Sequence, residues 1–202
     1  MFGKVKPKFR ILATMMHLKK IVGDNYFENV VDLGGSDGAL SLIINAGKVN
    51  VYDKQPNKVF ENVNYHELDL DNVNADWEKN DLTICTEVIE HLQNDELLLK
   101  KIYKNLDIGG IVFITTIRDK VPKEKFELDK KIGHLRRYNL EKFKQLMENI
   151  GFETIAIYGW RTNHYYDNKE KNSIKHYFPE LDIVDEDDDI MSSGLLYAGV
   201  KK

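Results

Sequence analysis

Acidic residues lie at or beside the carboxy ends of four successive apolar runs of this 202-residue chain. These acids are Asp32, Asp53, Asp69 and Glu87. A carboxylate at a strand end can accept hydrogen bonds from a polar ligand, and an acid 21 residues after Asp32 suits the two hydroxyls of a ribose. Any one of them is more often a surface turn or a helix cap, whereas four in succession predict a binding crevice.

A glycine loop follows the first apolar run, with glycines at positions 34, 35 and 38. Glycines let a backbone approach a ligand closely, and a helix that follows offers unpaired N–H groups. A plain tight turn also needs glycine, and several kinds of nucleotide-binding fold use such a loop. The loop alone therefore predicts a phosphate or nucleoside site without naming the ligand.

Short apolar runs alternate with amphipathic segments, which predicts an α/β domain with a mostly parallel sheet. The predicted strands are 29–33, 49–52, 65–70, 82–86, 111–116 after the pair Gly109-Gly110, 152–158 and 195–200. The predicted helices are 11–22, 39–45, one that Asn94 caps, and one that begins at Asn139 and ends at Gly151. Ligands of such a sheet bind outside the carboxyl ends of its strands, where the four acids would converge.

The sequence at this point resembles the class I S-adenosylmethionine (SAM)-dependent methyltransferases. Segment 31–38 is similar to their first motif, Asp53 to the ribose-binding acid, Asp69-Leu70 to the adenine-contacting pair, and segment 81–92 to the fourth-strand motif. The resemblance implies a single-domain, Rossmann-like, doubly wound, mostly parallel seven-stranded sheet with the last strand antiparallel. It covers about residues 29–158 and reaches the final strand.

The resemblance also implies SAM as cofactor and a set of cofactor-binding residues. These are Asp32, Gly34, Gly35, Ser36, Gly38, Asp53, Lys54, Asp69, Leu70, Thr86 and Glu87. Ser36 stands where the family usually has glycine, so the backbone would approach the cofactor less closely there. A dehydrogenase is the competing interpretation, but its G-x-G-x-x-G spacing differs from glycines at 34, 35 and 38.

Glu87, Glu90 and His91 have the i, i+3, i+4 spacing that would place them on one face of a helix. Two carboxylates and an imidazole can bind a divalent cation. The set resembles the ligands of the small-RNA 3′-terminal ribose 2′-O-methyltransferases, although many relatives with this segment hold no metal. The favoured interpretation is that Glu87 contacts the cofactor and His91 lines the pocket, with a divalent metal as the less favoured alternative.

His134 is the principal candidate for a catalytic base, and His91 is the second. Segment 133–138 resembles the Gly-His-x-Arg-x-Tyr segment of many small-molecule and glycan methyltransferases. An imidazole titrates near neutral pH and could accept the proton of an acceptor hydroxyl. A purely structural role, in which His134 and Tyr138 anchor the loop, is the alternative.

The acceptor side is indicated only by charge. Eight basic residues and four acids lie between Arg118 and Arg137 in a chain of net charge -4, which favours a small anionic acceptor. The polar stretch 161–193 contains aromatic and histidine side chains that could shape an acceptor pocket, and its acidic run 185–189 disfavours continuous contact with a polynucleotide. The predicted reaction is O-methylation of a metabolite or glycan precursor. The alternatives are metal-assisted methylation of an RNA 3′-terminal ribose and a non-catalytic binding module.

Length and composition favour one domain in four parts: an N-terminal helix region 1–28, a cofactor-binding core 29–160, a polar insertion 161–193 and a final strand 194–202. The single cysteine, Cys85, excludes a disulfide within the chain and a four-cysteine zinc site. No apolar stretch approaches the roughly 20 residues that span a bilayer. We therefore expect a cytoplasmic protein without a membrane span; the sequence leaves its oligomeric state open.

Overall fold

Seven strands form one mixed sheet in the structure, a computed structural model that describes residues 6–119, 129–160 and 194–202. The strands are β1 (Tyr26–Leu33), β2 (Asn45–Asp53), β3 (Asn64–Glu67), β4 (Asn80–Thr86), β5 (Leu106–Ile117), β6 (Phe152–Trp160) and β7 (Gly194–Lys201). Their order is β3-β2-β1-β4-β5-β7-β6, and β7 is antiparallel to both of its neighbours. The predicted fold class is confirmed, whereas the polar stretch 161–193 lies outside the described residues.

Helices cover both faces of the sheet, as a doubly wound fold requires. The helices are α1 (Lys6–Val22), α2 (Asp95–Asn105) and α3 (Leu140–Ile150). Leu18 of α1 is fully buried in a cluster that includes Val30 of β1. Leu99 of α2 and Phe143 of α3 belong to a second cluster that includes Val31. Because neighbouring residues of a strand point to opposite faces, β1 contributes to both halves of the core.

The order of the strands reverses between β1 and β4, which are both parallel to their neighbours on the outer side. Connections leave these two strands in opposite directions, so a crevice opens at their carboxyl ends. The glycine loop follows β1 and Glu87 follows β4. The fold thus places two of the predicted motifs on the two sides of one crevice.

The predicted helix 39–45 begins where expected but is shorter and of a different type. A short 3₁₀ helix covers only Ala39–Ile43, and Ile44 is already extended, with φ -94° and ψ 134°. Asn45 begins β2 and pairs with Tyr26 of β1. Because β2 pairs with β1 from Tyr26 onward, the chain becomes extended at Ile44, earlier than its local sequence pattern indicates.

Two other strand boundaries differ from the prediction. β3 ends at Glu67, which pairs with Asp53 at the end of β2, so Asp69 and Leu70 lie in the following loop. Gly109-Gly110 lies inside β5 at an irregularity in its pairing with β4, and Gly109 has φ 81°. Both differences arise because strand length depends on the partner strand.

The two predicted helix caps have different outcomes. Asn139 accepts a hydrogen bond from the Lys142 N–H at 3.2 Å, and Gly151 ends α3 with φ 122°, so that prediction is confirmed. Asn94 precedes α2, but its side chain makes no capping hydrogen bond. Asp71 instead accepts the N–H groups of Gln93 and Asn94 at 2.9 and 3.2 Å. A contact from a distant loop therefore fixes the entrance of α2.

Candidate functional site

A pocket of about 340 Å³ lies at the carboxyl ends of the central strands. Its lining residues are Gly34, Asp53, Lys54, Leu68, Asp69, Leu70, Asp71, Glu87, Val88, His91 and Leu92. Seven of them were singled out from the sequence as site residues. The structure brings these seven together, whereas Asp32, Gly35, Ser36, Gly38, Thr86 and His134 do not line this pocket.

Two glycines of the loop occupy positions where a side chain would collide with a neighbour. Gly34 has φ 72°, and a Cβ there would lie 2.2 Å from Cγ2 of Val88. A Cβ on Gly35 would lie 2.4 Å from the carboxylate carbon of Asp32. The loop therefore rests directly on β1 and on the segment after β4, and its backbone is open to the pocket at Gly34.

Asp32 is fully buried beneath this loop. Neither of its carboxylate oxygens has a hydrogen-bond partner among the described residues. Burial, followed by the negative charges of Asp37 and Asp53, raises the pKa of Asp32 to about 7. An uncompensated buried carboxylate favours a cation nearby, so Asp32 can act on a positively charged ligand through its field.

Asp53 holds the far side of the glycine loop. Its carboxylate accepts the N–H groups of Ser36 and Gln55 at 3.1 and 2.9 Å. Ser36 adopts φ 49°, so it takes up a backbone conformation that glycine adopts more readily. Gly38, with φ 73°, packs against Val51 instead of facing the pocket. Ser36, which stands where the family usually has glycine, thus adopts the positive φ that a glycine would adopt at this position.

An ion pair lies on the other side of the pocket. Lys54 Nζ is 2.8 Å from Asp69 Oδ2, and both side chains are largely exposed. The hydrogen bond from Lys54 lowers the pKa of Asp69. The apolar side chains of Leu68, Leu70 and Leu92 line the same pocket and provide a surface for a flat ring.

Glu87 has a strained backbone at the end of β4. Its φ is 56°, and Ser36 is the other non-glycine residue with positive φ in the described part of the chain. The Glu87 N–H donates to the Thr115 carbonyl at 2.8 Å, and Thr115 Oγ1 donates to Glu87 Oε1 at 3.2 Å. Thr86, the last residue of β4, pairs with Thr115. Residues held in such conformations cluster at functional sites, and these two lie on the loops after β1 and β4.

The predicted helical face of Glu87, Glu90 and His91 is wrong. Only a three-residue 3₁₀ helix, Ile89–His91, forms there. Glu90 is fully buried and accepts a hydrogen bond from Thr116 Oγ1 at 2.8 Å. A different set comes together: one ligand atom each of Glu90, His91 and His134 lie within 4.8 Å of one another.

The two candidate bases are neighbours. The ring centroids of His91 and His134 are 4.7 Å apart, and the ring planes meet at an angle of 67°. His91 Nδ1 is 3.0 Å from the Gly133 carbonyl, and His134 Nδ1 is 3.0 Å from Asp129 Oδ1. Burial and the nearby His91 lower the pKa of His134, although Asp129 acts in the opposite direction. His134 is therefore mainly neutral near pH 7, as a base must be.

The arginines of segment 133–138 are engaged in ion pairs. Arg136 pairs with Asp95, which also accepts the Tyr138 hydroxyl at 2.7 Å. Arg137 binds Asp129 through two nitrogens, at 2.6 and 2.7 Å. The basic character expected of segment 118–137 is thus partly neutralised at Arg136 and Arg137, and positions 120–128 lie outside the described residues. Sequence reasoning missed Asp95 and Asp129, since neither acid belongs to a motif.

Comparison with known proteins identifies the family of the chain. Residues 9–157 match the family described as a methyltransferase domain. No curated protein matches the chain in sequence.

None of the described helices is long and apolar enough to cross a membrane.

Solved structures with the same fold include three methyltransferases. The N-methyltransferase NodS of Bradyrhizobium japonicum, bound to S-adenosylhomocysteine, has a TM-score of 0.64 at 13% identity over 99% of this chain and 89% of that chain. A Thermotoga maritima SAM-dependent methyltransferase has a TM-score of 0.68 at 17% identity over 98% and 92%. Haemonchus contortus phosphoethanolamine N-methyltransferase 2, with SAM bound, has a TM-score of 0.68 at 17% identity over 93% of this chain and 52% of that chain.

The chain belongs to the methyltransferase domain family, because the family model covers most of its length. It is a SAM-dependent methyltransferase of class I, and SAM is its cofactor. The alternatives of a dehydrogenase and of a non-catalytic module are thereby set aside. The residue assignments within the pocket, and the acceptor, remain proposals.

Proposed function

We propose that the protein transfers the methyl group of SAM to an oxygen of a small anionic acceptor, a metabolite or a glycan precursor. The observation that carries this proposal is His134, whose Nδ1 is held by Asp129 and whose ring contacts His91 beside the pocket. A hydroxyl is a poor nucleophile until it loses its proton, so its methylation benefits from a positioned base. His134 is that base in our proposal, and His91 lines the pocket next to it.

The lining of the pocket supports the proposal that SAM binds there. In this proposal Asp53 accepts hydrogen bonds from the ribose hydroxyls, and Asp69 and Leu70 contact the adenine ring. The backbone of Gly34 approaches the cofactor closely. The carboxylate of Asp32, which is buried and has no hydrogen-bond partner among the described residues, favours a ligand that carries positive charge. The cofactor supplies an electrophilic methyl group on a sulfonium. The chain's part is then to orient the acceptor oxygen, which can supply on the order of 7–11 kcal/mol of the barrier in favourable cases.

Basic residues in the chain segments at 118 and 129–138 support an anionic acceptor. Arg118 directly follows β5 and forms an isolated β-bridge with Tyr138 through the backbone. Lys131 is exposed three residues before His134. Phosphoethanolamine N-methyltransferase, one of the structural neighbours, is named for a small phosphorylated acceptor. A phosphate or carboxylate on the acceptor would suit these cations.

The experiment is a methylation screen with methyl-labelled SAM and fractions of cell extract, followed by mass spectrometry of the labelled product. We expect a small anionic product with the label on oxygen, and at least a 100-fold lower rate for His134→Gln. Asp107→Asn, an exposed acid at the start of β5, is the control and should match the wild type. A label on nitrogen, or an unchanged rate for His134→Gln, would contradict the proposal.

A second candidate function is metal-assisted 2′-O-methylation of an RNA 3′-terminal ribose. The observation that favours it is the group Glu90, His91 and His134, whose donor types suit a divalent transition metal. Turnover on RNA with a 3′-terminal ribose, abolished by a chelator and restored by added Mn²⁺ or Zn²⁺, is the expected result. Activity that a chelator leaves unchanged would exclude this second function.

We also propose a cytoplasmic location, which stays a prediction.

A further inference from the structure

We infer that Asp129 is a positioning residue that makes His134, and not His91, the proton acceptor of the reaction. The inference rests on the proposed O-methylation. It concerns a carboxylate that belongs to no motif and that does not line the pocket. Its role would be to fix the ring of His134 and to stabilise the charge that the ring acquires.

Asp129 holds His134 at two points. His134 Nδ1 lies 3.0 Å from Asp129 Oδ1, and the His134 backbone N–H donates to the Asp129 carbonyl at 2.9 Å. Asp129 is 7% exposed, so water competes little for its oxygens. The backbone and the ring of His134 are thus both bound to Asp129, and this restricts the orientation of the imidazole.

Arg137 fixes the carboxylate in turn. Its Nε and one terminal nitrogen bind the two oxygens of Asp129 at 2.6 and 2.7 Å, the bidentate geometry that a guanidinium makes best. The other terminal nitrogen donates to the Arg118 carbonyl at 2.8 Å. Because Arg137 and His134 share one carboxylate, Asp129 stays ionised, and the hydrogen bonds from Arg137 and His134 lower its pKa despite burial, which raises it.

The partner of each ring distinguishes the two histidines. An ionised carboxylate only accepts, so Nδ1 of His134 carries the hydrogen and Nε2 keeps its lone pair. The Gly133 carbonyl fixes His91 in the same tautomer. A carbonyl, however, carries no net charge, whereas Asp129 also stabilises the imidazolium that forms when the ring accepts a proton. The charge that develops in the reaction is therefore favoured on His134.

The step balances with no further reactant. The acceptor hydroxyl gives its proton to Nε2 of His134 while its oxygen forms a bond to the methyl carbon. The carbon–sulfur bond breaks and its electron pair stays on sulfur, which becomes a neutral thioether. His134 then carries the positive charge between Asp129 and His91. Glu87 also acts on it, and a carboxylate oxygen of Glu90 lies within 4.8 Å of a ring nitrogen of His134.

The first experiment is imidazole ¹⁵N NMR of the full chain bound to S-adenosylhomocysteine. We expect His134 in the Nδ1–H tautomer, and a fall of its pKa by about one unit or more in Asp129→Asn, because the variant loses the adjacent negative charge. Asp107→Asn should leave the tautomer and the pKa of His134 unchanged. An Nε2–H tautomer for His134, or an unchanged pKa in Asp129→Asn, would overturn the inference.

The second experiment measures transfer of the labelled methyl group to the extract fraction that the wild type methylates, across a range of pH. We expect kcat of Asp129→Asn to fall on the order of 100-fold, with KM and affinity for S-adenosylhomocysteine unchanged and the rising limb of the pH profile moved to lower pH. Asp129→Glu, which keeps a carboxylate, should recover part of kcat. An equal loss in Asp129→Glu and Asp129→Asn would contradict a positioning role. If NMR shows the expected dyad but the label appears on nitrogen, O-methylation fails while the Asp129–His134 contact stands.

Discussion

The Cβ position of Gly34 lies 2.2 Å from Cγ2 of Val88, so the loop after β1 and the segment after β4 meet in close contact beside the pocket. These two segments belong to different strands that are neighbours only in the folded sheet. The contact explains why a glycine is required at position 34 for packing as well as for its positive φ. It also provides a direct test of the geometry of the pocket.

Gly34→Ala should destabilise the protein by more than strain alone. A positive φ costs an alanine about 1–2 kcal/mol, and the collision with Val88 should add about 1–3 kcal/mol. Gly109→Ala is the matched control, because Gly109 has φ 81° and no neighbouring atom of the described part of the chain within 4 Å of its Cβ position. Urea unfolding of both variants gives the comparison. Equal losses would show that Val88 does not press on Gly34, whereas adding Val88→Ala to Gly34→Ala should recover the difference.

Asp53→Ala should weaken cofactor binding about 10- to 100-fold. The variant loses a charged acceptor for the ribose, worth about 1.5–3 kcal/mol, and releases the Ser36 N–H that orders the glycine loop. Isothermal titration calorimetry with SAM measures the change. The exposed Asp107→Ala serves as control, and unaltered affinity in Asp53→Ala would refute the assignment of the ribose site.

Asp32 should make the cofactor-free protein less stable as pH rises. Its pKa is raised from 3.8 to about 7 in the folded state, so the folded protein holds the proton more tightly than the unfolded chain. The associated stability is complete below pH 4 and is lost as pH rises through 7. A shift of about three units corresponds to on the order of 4 kcal/mol.

Asp32→Asn removes this dependence while keeping the shape of the side chain. Its free energy of unfolding, measured by urea at pH 4 to 8, should fall less with pH than that of the wild type, and the variant should be the more stable of the two at pH 8. We also expect it to bind SAM more weakly, since the buried negative charge is lost. A parallel pH dependence in the two proteins would show that Asp32 does not titrate in this range.

The two asparagines before helices should differ in their contribution to stability. Asn139→Ala removes a capping hydrogen bond to the Lys142 N–H and should cost about 1 kcal/mol. Asn94→Ala should cost little, because the Asn94 side chain caps nothing and Asp71 holds the backbone there. Thermal unfolding of both variants provides the measurement, and a larger loss in Asn94→Ala would contradict the geometry.

Many of the residues that line the pocket could be predicted from the sequence. Asp53 and Glu87 end predicted strands, and the parallel sheet brings such ends together without further information. The end of the helix after the glycine loop could not be predicted, because Asn45 belongs to β2 and pairs with Tyr26 of β1. Local patterns specify which segments are strands, but strand length is decided by the partner.

The surroundings of His91 and His134 show what only the tertiary structure decided. His91 and His134 lie 43 positions apart in the chain, yet their rings are in contact, and Glu90 turns into the core instead of sharing a face with Glu87. Asp129 became recognisable only through the hydrogen bonds that it makes with His134 and Arg137. The sequence by itself determined the fold class and three of the acids that line the pocket, because these follow from periodicity and strand ends. The partners of each histidine depend on how distant segments pack, and this packing is a property of the folded chain.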